Sequence, residues 1–479
     1  MKLPSPEVEL GARTADCGVE TPHPEIGDLN TALRAPHSEF RIAHVLRKFD
    51  PAEWGGTETV LQRLTAGLGA LGVESVVYCP RLNGTGARTA LSANSARCRA
   101  DQAVGTPNES LAGDGCVVKR FRGFLPVWGI SHECRRRWTA VGGNLMSLDL
   151  PPALWREPDI AVIHAHTLGR LGGIAATIAR ARRLPLVVTI HGGYLDLPAA
   201  LQESFAGANR AGFEWGKIFG LFLQSRRTLG RADAILTCNP NEARLLREKF
   251  PGKRIQVQPH GIPVALYEKD CRAAARAAFP QIRDRQVLLA VGRIDPVKNQ
   301  GWLVTQALEI FKKHPRALLV FAGACTDEIY GSRLRKQIRD FNLKQKMLLT
   351  GGLPPGDARL IGLFQEAQAV VLPSISETFG LVLLEAWAAG TTVISSLTSG
   401  ATALVKHGEN GWLFDLENPA SFHAAVDATL ANVHLRGQLA AAGKELAARY
   451  GLHAVAIRVK NLYAELVEEK HALRHSTRR

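Results

Sequence analysis

The stretch 370-VVLPSISETFGLVLLEAWAAG-390 predicts a strand, a loop and a helix in direct succession, and this order indicates the fold class. The apolar run VVL predicts a buried strand that ends at Pro373. The letters TFG predict a turn, and Gly390 predicts the end of the helix that follows. Strand–loop–helix units of this kind build parallel sheets that carry helices on both faces.

Two glutamates flank the start of the predicted helix, Glu377 in the loop and Glu385 eight positions later. A helix rises about 1.5 Å per residue, so the two carboxylates can address points about 10 Å apart. Gly380 lets backbone N–H groups approach an anion, and the helix N-terminus adds partial positive charge. This spacing suits a nucleotide-sugar, with its diphosphate between the two acids. A buried carboxylate needs a partner, and for Glu385 we favour ligand hydroxyls over a structural Arg or Lys.

The length of 479 residues predicts two domains, and the net charge of +15 predicts an anionic partner. Phosphorylated ligands, anionic membranes and nucleic acid all have the required charge. The dispersed basic residues and the lack of helix-turn-helix patterning argue against nucleic acid. The eight cysteines form no CxxC pair, and residues 1–39 lack the apolar segment of a signal peptide, so we expect a cytoplasmic protein.

Strand-like runs alternate with helical runs in two series, which begin at 41-RIAHVL-46 and 286-QVLLAVG-292. The alternation predicts an α/β protein with two Rossmann-like, doubly wound domains that face each other across a cleft, with a hinge at 259-PHGIP-263. The expected divisions are a flexible leader at 1–39, a first domain at 40–258, a second domain at 259–450, and a C-terminal helix and basic tail at 451–479.

The segment 67-GLGALG-72 has the spacing of a dinucleotide-binding fingerprint, but it closes a predicted helix and precedes a strand. A true fingerprint follows a strand and opens a helix. We therefore interpret these glycines as helix packing and a C-terminal cap.

The segment 292-GRIDPVKN-299 follows a predicted strand at the end where doubly wound folds bind ligands. Arg293 and Lys298 there would neutralise a diphosphate, with a planar fork and a point charge respectively. A solvated basic loop explains the same residues equally well.

Two histidines in 163-IHAHTLG-169 follow another strand, and their spacing of two points His164 and His166 the same way. We interpret them as candidates for the acceptor side. A metal pair is the less favoured alternative, because no further ligand cluster accompanies them.

Residues 82–150 show little periodic pattern and predict loops or insertions on the first domain. They include the basic run 133-ECRRRW-138, and an apolar segment with basic residues follows at 213–227. Together these segments would suit peripheral contact with the inner face of an anionic membrane that presents a lipid-linked acceptor. A core helix with solvated arginines is the alternative that we favour.

The combination of SETFGLVLLEAWAAG with GRIDPVKN and WGGTE resembles retaining glycosyltransferase family 4, whose members have the two-domain GT-B fold. The resemblance covers about residues 40–460, and the two glutamates are its most specific element. It implies transfer of a hexosyl unit from a UDP- or GDP-linked sugar to a glycan or lipid-linked acceptor. It also implies retention of anomeric configuration. Arg293, Lys298 and the helix N-terminus can stabilise the leaving group, and we find no DxD-like acidic pair at a strand end, so we expect neither a metal ion nor a cofactor.

The resemblance implies a role for each matching residue. Glu377 matches the position that holds donor-sugar hydroxyls, Glu385 the one that holds the ribose, and His191 a histidine near the reaction centre. The positions that match phosphate or donor contacts in the family are Arg293, Lys298, Gly380, Leu381, Gly55 and Gly56. We add Phe379, in the same turn, and Gly352, near which we expect the donor base.

Two departures from the family pattern are Trp387, where Met is common, and Thr392, where Pro is common. We expect altered packing from them, with activity kept. The alternative functions are a nucleotide-sugar epimerase, a phosphorylase that uses pyridoxal phosphate, and a catalytically silent nucleotide-sugar-binding protein. The two-glutamate pattern fits glycosyl transfer better than it fits these.

Overall fold

A computed structural model of the chain describes residues 40–49, 56–81, 108–112, 116–131, 135, 145–195, 223 and 225–476. The predicted leader, Gly55 and most of the apolar segment at 213–227 lie outside these residues. The described residues belong to one compact unit, which begins at Glu39.

The first sheet has eight strands in the order β3-β4-β2-β1-β5-β6-β7-β8. Every neighbouring pair is parallel except β3 and β4. The strands are β1 Arg41–Val45, β2 Glu74–Arg81, β3 Asn108–Ala112, β4 Cys116–Arg122, β5 Ile160–Ala165, β6 Leu186–Ile190, β7 Ala234–Thr237 and β8 Arg254–Val257.

The second sheet has six parallel strands in the order β11-β10-β9-β12-β13-β14. Its core strands are buried along most of their length, as their continuous apolar runs predict. The strands are β9 Gln286–Val291, β10 Ala317–Ala322, β11 Met347–Gly351, β12 Ala367–Leu372, β13 Thr392–Ser396 and β14 Trp412–Phe414.

The strand order reverses between β1 and β5 in the first sheet and between β9 and β12 in the second. Doubly wound sheets bind their ligands at such switch points, beyond the carboxyl ends of the strands. The two sheets confirm the predicted fold of two doubly wound, Rossmann-like domains.

The described residues form helices that cover the two sheets. Those of the first domain are α1 Gly56–Gly69, α2 Leu150–Arg156, α3 Gly169–Arg182, α4 Thr228–Arg231 and α5 Pro240–Lys249. Those that follow are α6 Val264–Tyr267, α7 Arg272–Ala278, α8 Gln300–Lys313, α9 Glu328–Asp340, α10 Ala358–Glu366, α11 Leu381–Ala388, α12 Ser399–Leu404, α13 Pro419–Ala431, α14 Val433–Ala448 and α15 Leu452–Ser476. Within the described part of the chain, no helix combines the length and apolar character needed to cross a membrane.

The region at 82–150 contains more regular structure than its sequence predicts. Strands β3 and β4 lie within it and extend the first sheet beyond β2. Strand β4 carries Lys119, Arg120 and Arg122 among its apolar residues, and it lies near an edge where side chains are only partly covered. These charged residues interrupt the apolar pattern by which the strand could be predicted from the sequence.

The C-terminal helix α15 returns to the first domain and packs against its sheet. Val459, Leu462 and Tyr463 are buried there in one cluster with Ile42. A Cβ atom at Gly67 would lie 2.9 Å from the Cβ of Ala456, so the close approach of α1 and α15 requires glycine. Helix packing therefore accounts for the start of 67-GLGALG-72, as the sequence analysis expected.

The chain passes between the two sheets at two adjacent segments. The N–H of Ile262 donates to the carbonyl oxygen of Tyr450 at 2.9 Å, and the N–H of Leu452 donates to that of Ile262 at 3.2 Å. The predicted hinge at 259–263 therefore lies beside the start of α15. Two parallel connections at one place are suited to a hinge motion of the domains.

Trp387 and Thr392, the two residues that depart from the family pattern, both pack against α14. The Trp387 side chain is fully buried, and its indole N–H donates to the carbonyl oxygen of Asn410 at 2.8 Å. A Cβ atom at Gly443 would lie 2.0 Å from the Trp387 ring, so the large residue is matched by a glycine. The Thr392 hydroxyl donates to the carbonyl oxygen of Arg436 at 2.8 Å.

Candidate functional site

The loop after β9 holds its basic residues at the switch point of the second sheet. The Asp295 carboxylate accepts from the N–H of Lys298 at 3.0 Å and lies 3.3 Å from the Arg293 guanidinium. Asp295 therefore fixes the loop backbone at Lys298 and pairs with the Arg293 guanidinium. The Arg293 side chain is about half exposed, whereas that of Lys298 is mostly covered.

Lys298 meets Glu377 across the switch point. The Lys298 Nζ donates to Glu377 Oε2 at 2.5 Å. Burial raises the pKa of the Glu377 carboxyl, but Lys298 and the N–H groups of Phe379 and Gly380 outweigh burial and lower that pKa below its usual value. Glu377 is therefore a carboxylate near neutral pH, held between a cation and the backbone amides of its own turn.

The turn before α11 depends on two glycines. Gly380 has a φ of +92°, and a Cβ atom there would lie 2.8 Å from Leu383. A Cβ atom at Gly400 would lie 2.5 Å from the backbone nitrogen of Phe379, and the N–H of Gly400 donates to the carbonyl oxygen of Glu377 at 2.8 Å. The turn is therefore fixed against α12, with the N-terminus of α11 and Leu381 beside Glu377.

The same turn contacts the first domain. The Asn239 side chain donates to the carbonyl oxygen of Thr378 at 2.9 Å, and Asn239 also caps α5 through its side-chain oxygen. The N–H of Gly193 lies 3.4 Å from the Thr378 hydroxyl. The two domains therefore touch around the loop that carries Glu377.

Glu385 is buried at the interface between α11 and α1. Its carboxylate accepts from the Arg63 guanidinium at 2.6 Å, and the Tyr267 hydroxyl lies 3.5 Å from the same guanidinium. The sequence analysis favours ligand hydroxyls as the partner of Glu385, whereas the structure contains the alternative, an ion pair with arginine. Ribose binding by Glu385 stays a prediction, and Arg63 lies beside this carboxylate.

A row of histidines runs along the carboxyl ends of the central strands of the first sheet. His44 Nδ1 lies 3.0 Å from His166 Nε2, and His166 Nδ1 lies 2.8 Å from His191 Nε2. The His191 ring stacks on His260 with centroids 5.4 Å apart, and the His260 and Phe379 rings form a T-shaped pair with centroids 4.9 Å apart. The row therefore connects the core of the first domain to the turn before α11.

His164 stands beside this row but faces α15. Its two ring nitrogens each lie 2.6 Å from a hydroxyl oxygen, that of Tyr463 and that of Thr189. The ring is completely buried, and His166 is 6% exposed. Acceptor contact by these two residues stays a prediction, because protein side chains already pair with the ring nitrogens of both.

Burial keeps these histidines neutral. It lowers the pKa of His44 to about 3 and, with Arg47 nearby, that of His191 to about 3. Burial also places the pKa of His164 and that of His166 well below the usual value. Neutral imidazoles accept as well as donate, which allows the chain of ring-to-ring hydrogen bonds.

Neutral imidazoles are also metal ligands, and in the described residues His44, His164 and His166 lie close enough to share an ion, with ligand atoms within 4.8 Å of one another. Every ring nitrogen of the three except His44 Nε2 has a protein partner. Side chains therefore satisfy most of the cluster by themselves. A cavity of about 30 Å³ adjoins it, lined by His164, His166, His191 and His260.

Gly56, Gly352 and Arg135 are described as well, among the remaining residues that the sequence analysis singles out. Gly56 begins α1, and Gly352 follows β11, where a Cβ atom would lie 3.0 Å from that of Ala324. Of the basic run 133–138, the structure describes Arg135, which donates to the carbonyl oxygens of Leu125 and Val127. That arginine therefore supports a loop of the first domain.

Sequence reasoning missed four residues of the site, namely Arg63, Tyr267, Asn239 and His44. For Arg63 a signal exists, because it lies on the face of α1 that Val60 and Gly67 also occupy. A charge on an apolar helix face needs a partner. Tyr267 and Asn239 carry no comparable pattern.

Two family models match the chain. The first, described as "Glycosyl transferase 4-like domain", matches residues 55–261, and the second, described as "Glycosyl transferases group 1", matches residues 272–446. A curated relative, the D-inositol 3-phosphate glycosyltransferase of Acidothermus cellulolyticus, is 31% identical over 287 residues. That match covers 57% of this chain and only 60% of the relative's length.

Solved structures share the fold at low sequence identity. HepE of Anabaena, crystallised with UDP and glucose, matches with a TM-score of 0.63 at 17% identity, over 89% of this chain and all of that one. The sucrose-phosphate synthase of Thermosynechococcus elongatus matches with a TM-score of 0.65 at 20% identity, over 90% of this chain and all of that one.

Proposed function

Because the chain belongs to the family 4 glycosyltransferases of the GT-B fold, we propose that it transfers a hexosyl unit from a nucleoside-diphosphate sugar with retention of configuration. The observation that carries the proposal is the Lys298–Glu377 pair at the switch point of the second sheet, beside the N-terminus of α11. A cation, a carboxylate and a helix N-terminus together match a diphosphate joined to a sugar.

The chemical step requires stabilisation of the departing nucleoside diphosphate. Lys298 and Arg293 supply positive charge, and the backbone N–H groups at Gly380 and Leu381 supply hydrogen bonds. Asp295 holds the loop that carries Arg293 and Lys298, and the packing of Gly400 holds the turn at Gly380. We therefore propose a reaction without a metal ion or an organic cofactor.

Retention requires the acceptor to attack the face of the sugar from which the diphosphate leaves. We propose this front-face route, with Glu377 holding sugar hydroxyls and His191 near the reacting carbon. The His191 ring is held by His166 and stacks on His260, so its orientation is set by its neighbours. The donor binds to the second domain and the acceptor to the first.

For the donor we propose a UDP-sugar first, since HepE of the same fold was crystallised with UDP and glucose, and a GDP-sugar second. For the acceptor, a glycan or a lipid-linked sugar remains the proposal. A phosphorylated polyol or sugar is a second candidate, supported by the relative's name and by the net charge of +15. Basic surfaces favour phosphorylated ligands.

The test is donor binding and slow donor hydrolysis with a panel of UDP- and GDP-sugars, with and without EDTA. We expect one donor to bind and to be hydrolysed, equally in EDTA, and Glu377→Ala to lose the hydrolysis. Acceptor screening then follows, with the anomeric configuration of the product read by NMR.

Three results would contradict parts of the proposal. Binding of a donor without hydrolysis or transfer to any acceptor would favour a silent binding protein. A change in the sugar without loss of the nucleotide would indicate an epimerase. Inactivation by EDTA, restored by a divalent cation, would contradict metal independence alone.

A further inference from the structure

Arg63 extends from α1 of the first domain to Glu385 on α11 of the second. The side chain is buried, with 7% of the residue exposed, and its Nη2 donates to Glu385 Oε1 at 2.6 Å. The partners lie 322 positions apart and on different domains. The pair therefore forms only while the two domains touch.

One end of this guanidinium has no partner. Arg63 Nη1 is buried and makes no hydrogen bond to any described residue, while Nη2 holds Glu385 and approaches Tyr267. A buried guanidinium N–H group without an acceptor is costly, so such donors are almost always paired. The acceptor for Nη1 is therefore missing from the described protein.

The surroundings of Nη1 indicate what that acceptor is. Glu385 lies one helical turn after Leu381, whose backbone belongs to the N-terminus of α11. The Lys298–Glu377 pair lies at the same end of that helix. Arg63, Lys298 and the backbone N–H groups at the start of α11 therefore place positive charge and hydrogen-bond donors along the first two turns of this helix, which suits an oxygen-rich anion.

We propose that Arg63 Nη1 donates a hydrogen bond to an oxygen of the bound nucleoside diphosphate. The first domain would then contact the nucleotide-sugar beside Glu385. The inference rests on the proposed function, because it assigns a residue to the same donor site. Arg63 binds the protein carboxylate with one nitrogen and the ligand with the other. The donor is then held by both domains, and its binding favours the closed arrangement.

A conservative substitution separates these two contacts. Arg63→Lys keeps the positive charge beside Glu385, but a lysine has one nitrogen where arginine has a planar fork. The lysine can retain the ion pair with Glu385, but it has no second nitrogen to donate a hydrogen bond where Nη1 does. Arg254→Lys is the matched control. Arg254 Nη2 on β8 lies 2.6 Å from Glu469 Oε1 on α15, away from the loop that carries Glu377.

The experiment measures the binding of UDP, GDP, UMP and uridine to the wild type and both variants by titration calorimetry, with circular dichroism and melting curves as fold controls. We expect Arg63→Lys to weaken diphosphate binding by about tenfold to a hundredfold, the effect of one hydrogen bond to a charged group. Arg254→Lys should bind like the wild type. Weakened uridine binding would assign the contact to a ribose oxygen, and a loss confined to UMP and UDP would assign it to a phosphate oxygen.

Unchanged or tighter diphosphate binding in a folded Arg63→Lys protein would overturn the inference, since the arginine would then be purely structural or would compete with the donor. If the variant does not fold, a crystal structure of the wild type with the bound diphosphate decides. Nη1 should lie within about 3.2 Å of a ligand oxygen, and a separation beyond hydrogen-bond range overturns the proposal. A wild type that binds neither UDP nor GDP removes the proposed function itself, and this inference with it.

Discussion

Lys298 Nζ and Glu377 Oε2 lie 2.5 Å apart, although 79 positions separate the two residues in the chain. They meet because β9 and β12 are neighbours at the switch point, so that the loops at their carboxyl ends face each other. The pair balances charge at the candidate donor site. A donor diphosphate would therefore enter a site whose cation is already oriented.

Replacement of Lys298 by Met should lower donor hydrolysis by about a hundredfold to a thousandfold, the usual effect of removing one group that stabilises a developing negative charge. The rate is measured by release of the nucleoside diphosphate. Lys313→Met is the control, because Lys313 forms an exposed pair with Asp427 at 2.9 Å in the same domain. Hydrolysis at the wild-type rate in Lys298→Met would exclude the residue from leaving-group stabilisation.

Gly443→Ala should destabilise the protein by about 1–3 kcal/mol, because the new Cβ atom would lie 2.0 Å from the buried Trp387 ring. Gly437→Ala on the same helix is the matched control, since nothing lies within 4 Å of its Cβ position. That change should be neutral or stabilise by up to about 1 kcal/mol, as alanine favours a helix over glycine. Urea unfolding measures both, and equal effects would contradict the packing of Trp387 on α14.

Tyr463→Phe should destabilise the protein by about 1–3 kcal/mol, because it leaves His164 Nδ1 buried without its hydroxyl partner. Tyr194→Phe serves as the control, since Tyr194 is 43% exposed and should tolerate the change. Thermal unfolding of the two variants gives the comparison. A Tyr463→Phe protein as stable as the wild type would show that α15 does not depend on this contact.

The buried histidines should make stability depend on pH in one direction. His44 has a pKa of about 3 in the folded protein and an ordinary value near 6.5 when unfolded. Below pH 6.5 the His44 ring is therefore protonated in the unfolded chain but stays neutral in the folded protein. The free energy of unfolding decreases as the pH falls towards 3. This one group contributes about 2 kcal/mol of that decrease between pH 6.5 and pH 5.

Urea unfolding at pH 7 and pH 5 tests this linkage. His44→Asn should lose less stability between the two values than the wild type loses. His434→Asn, at an exposed position on α14, should follow the wild-type dependence. A His44→Asn protein with the full wild-type loss would show that another group carries the pH dependence.

Much of the second domain could be predicted because its signals are local. The run from Val370 to Gly390 contains its strand, its turn and its helix within 21 letters, and the structure has β12 and α11 there. Strands β3 and β4 escaped prediction because their polar residues interrupt the apolar pattern at the side of the sheet. The sequence analysis expects altered packing at Trp387 and Thr392. In the structure Trp387 packs on Gly443, and the Thr392 hydroxyl binds the carbonyl oxygen of Arg436.

The sequence predicts the two doubly wound domains and their strand-end loops, because these follow from short-range periodicity and turn chemistry, and its resemblance to the family indicates the candidate donor residues. Only the tertiary structure decided the partners of those residues. Glu385 pairs with Arg63, and His164 with Tyr463, over separations of 322 and 299 positions. No local pattern encodes such pairs, because they depend on how the domains and α15 pack together. The physical requirement that a buried charge find a partner can be read from the sequence, whereas the identity of the partner belongs to the fold.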